Sequence, residues 1–389
     1  MKTILGAALV MVFCVFAITG CRSSDTAIET VVLEAETKEE IESRSVEKIP
    51  KDEIKIGIIH ITDPADGFGY TYAHDKGLRK MQKDLGIADE QIIRKNNISE
   101  NDAAAFDKAV RECVEEGCHI IFAPSWGYKE EIALAAANYP DIYFAYAGVG
   151  ESPEPNLAYY YGREYEARYL SGIAAGMRTE TGRIGFVAAW GKENSVVTSG
   201  INAFAMGVYS VNKNAKIYVK TVDSWFDAEK EEAVARELVF QGCDVIAQHS
   251  GTAYPVLVAE EAGVYGIGTN SDMSQTAPNA VLISAIWNWN IYYTEVIENL
   301  LNGIWQTSNY MGGMQEGLVR TSGLSNVNSL DVAAKVEEVQ TQIFNRELVI
   351  FAGVIETNEG TLVGEEGKAM SDETIIGETN WYFKNVINE

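Results

Sequence analysis

The 389-residue chain carries 31 basic against 56 acidic residues, a formal net charge of −25, with 47% hydrophobic and 10% aromatic residues. Such apolar content excludes general disorder, and the length provides for two or three domains with cores of their own. The acidic balance excludes nucleic acid as a partner, which needs clustered Lys and Arg, and four His without a Cys-x-x-Cys pair leave no structural zinc motif.

In chain order, Met1-Lys2-Thr3 is a short positive start to an apolar run from Ile4 to Ile18. The run is short for a membrane span and fits a signal peptide over residues 1–20. It closes on Ile18-Thr19-Gly20-Cys21, a small pair followed by a thiol able to carry a diacylglycerol. Several acyl chains on Cys21 would tether the protein durably, lipid-anchored on the extracytoplasmic face of the cell membrane. The plainer alternative is a secretory signal with an incidental Cys. Residues 21–53 then read as a flexible linker, because Arg22 to Glu53 holds ten acidic and five basic residues and no aromatic. Of the remaining thiols, Cys113 and Cys118 are close enough in sequence to pair after export, but three free, buried cysteines, with Cys243, is the favoured reading.

From Ile54 onward, short β-branched runs alternate with amphipathic stretches. Lys55 to His60 reads as a strand, Gly69 to Leu85 as a helix, and Gln91 to Ile98 as a second strand. Asn101 is placed to cap the next helix, whose Phe106, Ala109, Val110, Cys113 and Val114 share one face; Gly117 stops it. Ile120 to Ala123 and Ile142 to Ala147 continue the series.

The same order recurs downstream. Arg183-Ile184-Gly185 repeats Lys55-Ile56-Gly57, and Arg236-Glu237 through Gly242-Cys243 to Ile246 repeats Arg111-Glu112 through Gly117-Cys118 to Ile121. Two similar α/β lobes follow, each a doubly wound parallel sheet with helices on both faces. Lobe 1 spans 54–163 with about 285–316, and lobe 2 spans 164–284 with about 317–389. Hinges are expected near Gly162, Ala285 and Gly317. Ligands of such sheets sit at the carboxyl ends of the strands, here between facing lobes.

The residues after each strand are therefore the informative ones. Gly67-Phe68-Gly69 starts a dinucleotide fingerprint but lacks its third glycine, and Asp63 and Asp66 would meet a pyrophosphate there. Trp126, Trp190, Trp225, Trp287 and Trp289 all lie near strand ends. A single Trp is more often core than site; in one layer they make a stacking surface for a flat ligand. Trp225 stands out because Asp227 follows it as the N-cap of an acidic first turn, although a hydrophobic staple would use the same pattern. Asp272, in Asn270-Ser271-Asp272, would accept from a ring amine or N–H, or merely cap a turn. His249 lacks a nucleophile elbow to serve as base for, and His74 and Asp75 read as structural. No catalytic residue, cofactor or metal is expected.

Together the Ile18–Cys21 box, the two-lobed repeat, Tyr70-Thr71-Tyr72-Ala73-His74-Asp75, Ser224-Trp225-Phe226-Asp227 and Asn270-Ser271-Asp272-Met273 resemble the basic membrane protein (Bmp) family of ABC-transporter solute-binding lipoproteins. Gly200-Ile201-Asn202-Ala203-Phe204 and Trp287-Asn288-Trp289 look closest to its purine-binding branch. The resemblance covers about 54–389. It implies a type I periplasmic-binding fold, a purine base or nucleoside as ligand and ABC permease subunits as partners. It also implies site roles. Tyr70 stacks on the ligand ring, Thr71 contacts the base, and Trp225 is the opposing aromatic. Asp272 is the acid near a lobe-2 strand end, Asn270 replaces another acid, and Trp190 faces the mouth.

Two departures point away from nucleosides. Phe144-Ala145-Tyr146-Ala147-Gly148 lacks the acid that holds ribose, and Ala285-Ile286-Trp287 lacks the family's basic residue. The function expected is capture of an adenine-like base without chemistry. The alternatives are nucleoside or sugar binding for import, or a ligand sensor.

Overall fold

The computed structural model describes residues 43–307 and 309–388. The expected signal peptide, Cys21 and most of the linker lie outside them. The described part of that linker is not free. Strand β1 (Ser43–Ser45) pairs antiparallel with a later strand at Ile304–Gln306. Val46 N–H then donates to Gly303 O, and Gln91 Nε2 holds the carbonyls of Lys51 and Ile54. The first two are backbone pairing along β12 and its turn, and the third is a side-chain amide clamp, docking modes that composition does not report.

The first lobe contains β2 (Ile56–Ile59), α1 (Gly69–Leu85), β3 (Ile92–Lys95), α2 (Ala103–Glu115), β4 (Ile120–Ala123), α3 (Lys129–Asn138), β5 (Tyr143–Ala147) and β6 (Leu157–Gly162). The second runs through α4 (Glu164–Arg178), β7 (Arg183–Ala188), α5 (Ser195–Val211), β8 (Lys216–Thr221), α6 (Ala228–Phe240), β9 (Val245–His249), α7 (Tyr254–Ala262), β10 (Tyr265–Asn270) and β11 (Val281–Trp287). The chain returns to lobe 1 for α8 (Asn290–Asn302), β12 (Ile304–Gln306) and β13 (Tyr310–Gly312). It ends in lobe 2 with β14 (Val319–Thr321), α9 (Leu330–Phe344), a β15 (Ala352–Glu356) and β16 (Leu362–Ala369) hairpin, α10 (Asp372–Glu378) and β17 (Val386–Asn388).

The lobe-1 sheet has the order β13-β6-β5-β4-β2-β3 and is parallel throughout. The lobe-2 sheet has the order β14-β11-β10-β9-β7-β8-β17, with only β14 antiparallel. Strands buried end to end, such as β2, β4 and β9, explain the unbroken apolar runs. The internal repeat has a packing cause. A Cβ on Gly57 would press on the Cys113 and Cys118 sulfurs, and one on Gly185 would press on Leu238, so each glycine lets its helix sit close to the sheet. The α2 cap is Asp102, whose Oδ1 accepts from Ala105 N–H at 2.9 Å, one residue beyond the expected Asn101. Cys113, Cys118 and Cys243 are buried thiols outside any disulfide.

The chain passes between the sheets at 162–164, 287–290 and 312–319, the middle crossing beginning after Trp287 because Ala285 is still paired within β11. Arg163 ties two of these crossings together. Its guanidinium meets Glu316 at 2.6 Å, Asp372 at 3.0 Å and Glu166 at 3.3 Å, and donates to Met311 O. Met314 N–H donates to Glu166 Oε2 at 2.6 Å, and Tyr165 OH to Asp372. Burial pushes the Glu166 carboxyl up to about 7 against the pull of Arg163. Through the window from its ordinary 4.5 to about 7, the folded protein holds a proton that the unfolded chain has released. Stability from this group is therefore complete below 4.5 and is lost as pH rises through 7. Urea denaturation at a series of pH values should show that decline in the wild type and a flatter profile in Glu166→Gln; parallel profiles would refute it.

Candidate functional site

The carboxyl ends of both sheets face one cleft with about 700 Å³ of empty space, part of it open to solvent. Lobe 1 contributes Thr62 and the Phe68–Thr71 segment after β2, Ser125 and Trp126 after β4, and Tyr161 in β6. Lobe 2 contributes Val196 on α5, Trp225 and Phe226 after β8, His249, Ser250 and Gly251 at the end of β9, and Asn270 at the end of β10. Trp287, at the crossing out of β11, closes the floor. None of the lining residues is Asp, Glu, Lys or Arg.

The lobe-1 wall is shaped by its loop. Asp63 Oδ1 caps Ala65 N–H, Gly67 and Gly69 take left-handed backbone at φ +79° and +82°, and Thr62 Oγ1 donates to Thr71 Oγ1 at 2.8 Å. Tyr70 rests edge-on against His74, ring centres 4.4 Å apart. His74 stacks on Trp289 at 4.2 Å, and Trp289 stacks on Trp287 at 4.3 Å, so a column of parallel rings runs from the cleft floor into the lobe-1 core. Burial holds the His74 imidazole well below its ordinary pKa, and its Nδ1 pairs with Tyr293 OH at 2.7 Å. After β4, Tyr146 OH donates to Trp126 O at 2.6 Å and Glu100 binds Ser125 Oγ and Gly127 N–H, which fixes the Trp126 turn.

On lobe 2, Asp227 caps α6 as expected, accepting from Lys230 N–H at 3.1 Å. Glu231, one turn on, is fully buried and accepts from Ser250 Oγ at 2.7 Å, Thr252 N–H at 3.0 Å and Thr252 Oγ1 at 2.6 Å. This carboxylate locks the 250–252 loop beside the helix that follows Trp225. His249 is buried; desolvation and the nearby Arg168 charge keep its imidazole well below the ordinary pKa, hence neutral.

Tyr70, Thr71, Trp225 and Asn270 thus converge on the cleft. Asn270 does so in a left-handed backbone, φ +64°, which Asn tolerates better than most residues. Trp190 does not line the cleft but stands behind Trp225, edge to face at 6.0 Å, and buttresses it. Asp272 is a correction. It is exposed, and its Oδ1 accepts from Ser274 N–H at 2.9 Å, the turn-capping alternative. Sequence reasoning missed Tyr161 and Val196, whereas His249 and Ser250 stand at the strand end where polar partners are expected. Tyr161 ends an apolar run and Val196 is one of two adjacent valines in the first turn of α5, and nothing marks either as facing a cleft.

The lobes meet backbone to backbone at the mouth. A Cβ on Gly69 would overlap the Gly251 carbonyl oxygen, and a Cβ on Gly251 would overlap Trp225 O. The contact between lobes therefore needs glycine at 69, and the packing of the 250–252 loop on Trp225 within lobe 2 needs glycine at 251.

Comparison with known proteins agrees with this architecture. The family of PnrA-like ABC transporter substrate-binding proteins (Bmp) matches residues 54–352. A purine-binding protein of Brucella abortus (strain 2308) is 32% identical over 336 residues, 86% of this chain and 93% of that protein. A putative ABC transporter glucose-binding protein of Haloferax volcanii is 32% identical over 295 residues, 76% of this chain and 73% of that protein. The solved structure of a transcriptional activator of the comK gene from Bacillus halodurans superposes with a TM-score of 0.64 at 20% identity, covering 76% of this chain and 99% of that one; this likeness concerns the fold. The chain belongs to the PnrA-like Bmp family. It is a solute-binding protein of an ABC transporter with the type I periplasmic-binding fold, and not an enzyme.

Gly69→Ala tests the mouth contact. The left-handed backbone at Gly69 makes Ala cost roughly 1–2 kcal/mol in global stability, readable by urea denaturation. The overlap with Gly251 should in addition open the lobes, raising the radius of gyration in small-angle scattering; an unchanged radius would refute the contact.

Proposed function

We propose that this protein is the extracytoplasmic, lipid-anchored receptor of an ABC importer and captures a free purine base, adenine or a close analogue, between its closing lobes. The observation that carries this reading is the cleft itself, which is walled by Phe68, Tyr70, Trp126, Tyr161, Trp225 and Trp287 and lined by no formally charged residue. Aromatic walls favour a flat ring, and a charged ligand would lose its hydration there without an opposite charge in the lining. Stacking between the Tyr70 and Trp225 walls would hold the ring, with the Thr71 hydroxyl and the Asn270 amide supplying polar contacts.

Two positions argue for the base over the nucleoside. Near the end of β5, where the family's acid would hold ribose, Tyr146 turns its hydroxyl to the Trp126 carbonyl. On the crossing from β11, the place of a basic residue is taken by Trp287, stacked on Trp289. The Brucella relative's purine-binding name supports the same ligand class. Capture then needs only hinge closure around Arg163 and presentation of the closed form to permease subunits. Anchoring would come from acylated Cys21, so Cys21→Ala is expected to move the protein from the membrane to the soluble fraction.

Refolded protein, freed of carried ligand by denaturation, should be titrated by tryptophan fluorescence and calorimetry with adenine, guanine, adenosine, inosine, ribose and glucose. A saturable response to a free base, weaker with its nucleoside, is expected. Trp225→Ala should weaken it about tenfold, on the order of 1.4 kcal/mol. Preference for adenosine would overturn the base assignment. Binding of glucose alone would transfer the function named for the Haloferax relative.

A further inference from the structure

The internal repeat continues past the helices into the loops that wall the cleft. Helix α2 starts at its cap Asp102 and α6 at its cap Asp227, 125 residues later, and β4 and β9 follow in the same register. After those strands the shared offset pairs Ser125 with Ser250, Trp126 with Gly251 and Gly127 with Thr252. In both lobes one carboxylate oxygen holds that turn. Glu100 Oε1 accepts from Ser125 Oγ and from Gly127 N–H at 2.8 Å. Glu231 Oε2 accepts from Ser250 Oγ at 2.7 Å, Thr252 N–H at 3.0 Å and Thr252 Oγ1 at 2.6 Å.

The two carboxylates come from different places in the repeat. Glu100 stands two residues before the α2 cap, and the same position before the α6 cap is Trp225, a cleft residue. The lobe-1 equivalent of Glu231 is Phe106, buried against Tyr128. Lobe 1 thus carries its ring inside the turn, at Trp126, whereas lobe 2 carries it on the preceding loop, over a glycine. Gly251 is required there, since its Cβ would overlap Trp225 O and stand 3.0 Å from the Phe226 ring. With Trp225 in the place of the carboxylate, the clamp has moved one turn into α6.

Satisfying the donors of one turn would be a purely structural role, and Glu231 does more. Its Oε1 accepts from Asp227 N–H at 3.3 Å, so one fully buried carboxylate joins the Trp225 loop to the 250–252 turn. Glu100 lies against Gly127, where a Cβ would stand 2.6 Å from its carboxyl carbon, so the turn that carries Trp126 rests on it.

We propose that Glu100 and Glu231 are the positioning residues of the ligand site, Glu100 holding the Trp126 wall of lobe 1 and Glu231 the Trp225 wall of lobe 2. Neither carboxylate lines the cleft, so each acts on a ligand through the ring it holds. A wall that must be ordered when ligand enters subtracts that ordering from affinity. The choice of adenine as probe rests on the purine reading above.

The test joins hydrogen–deuterium exchange of the ligand-free protein to calorimetry with adenine, on the wild type, Glu100→Ala, Glu231→Ala and Glu231→Gln. Glu100→Ala should speed exchange over residues 125–128 and leave 224–227 unchanged. Glu231→Ala should leave 125–128 unchanged and loosen 224–227 together with 250–252. Folded protein of each alanine variant should bind adenine on the order of tenfold more weakly. Glu231→Gln keeps an oxygen for Ser250 and Thr252 but turns an amide N–H toward Asp227 N–H. It should therefore loosen 224–227 alone and still lose affinity, and it carries the lobe-2 test if Glu231→Ala fails to fold. Wild-type affinity in the variants would assign the clamps to stability alone and overturn the proposal, as would unchanged exchange over 224–227 in Glu231→Gln. A wild type that binds no adenine overturns the purine reading, and the exchange patterns then decide the positioning roles.

Discussion

The buried guanidinium of Arg168 is the contact on which the lobe-2 half of the cleft depends. With its donors directed to Gln248 O, Thr269 Oγ1 and Glu164, it holds the ends of two adjacent strands in one position. The residues immediately following those two contacts are His249 and Asn270, both on the cleft wall. Removing one member of such a buried pair costs roughly 3–5 kcal/mol, because the other charge is stranded. The same strap therefore sets stability and site geometry, and the wall cannot adjust without it.

Lobe 1 solves the equivalent problem without charge. The rings of Trp287, Trp289 and His74 stack face to face, and Tyr70 meets His74 edge-on, so the stacking wall is an extension of the core. Gly77 allows this, since a Cβ there would collide with Trp289. The column also spans the crossing from β11 to α8, which couples the cleft floor to a segment between the lobes. A rigid apolar wall facing a strapped polar one gives a ligand stacking on one side and orientation on the other.

Much of this was legible in the sequence, and the misses share a cause. Helix α1 has the expected limits, Asp227 caps α6, and the repeat marks two lobes, because periodicity, capping and glycine placement are local properties. Tyr70, Thr71, Trp225 and Asn270 reach the cleft because strand ends are topologically determined. Asp272 failed because two positions beyond a strand a side chain can turn either way, and a nearby N–H at Ser274 took it. Glu164 and Arg168 were passed over since an i, i+4 acid–base pair reads as a surface salt bridge; only the burial of α4 between the sheet and α5 and α9 distinguishes it. Residues 43–53 paired through their backbone, to which composition is blind.

The contacts that act on closure are distributed unevenly. Charged groups gather at the hinge, where Arg163 is shared by Glu166, Glu316 and Asp372 across two crossings, whereas the mouth meets through the backbones of Gly69 and Gly251. A glycine–glycine contact permits close approach but contributes little attraction of its own. Phe68 of lobe 1 adds a direct apolar contact, packing on the lobe-2 cluster that holds Ala253 and Val256, and a ligand adds the apolar area that both walls remove from water. A ligand shifts the equilibrium only by its differential affinity for the closed form, and a ring gripped by both lobes has that difference built in. The contacts that a ligand makes with both walls are thus added to those the lobes make with each other, and closure follows occupancy to the extent of that addition.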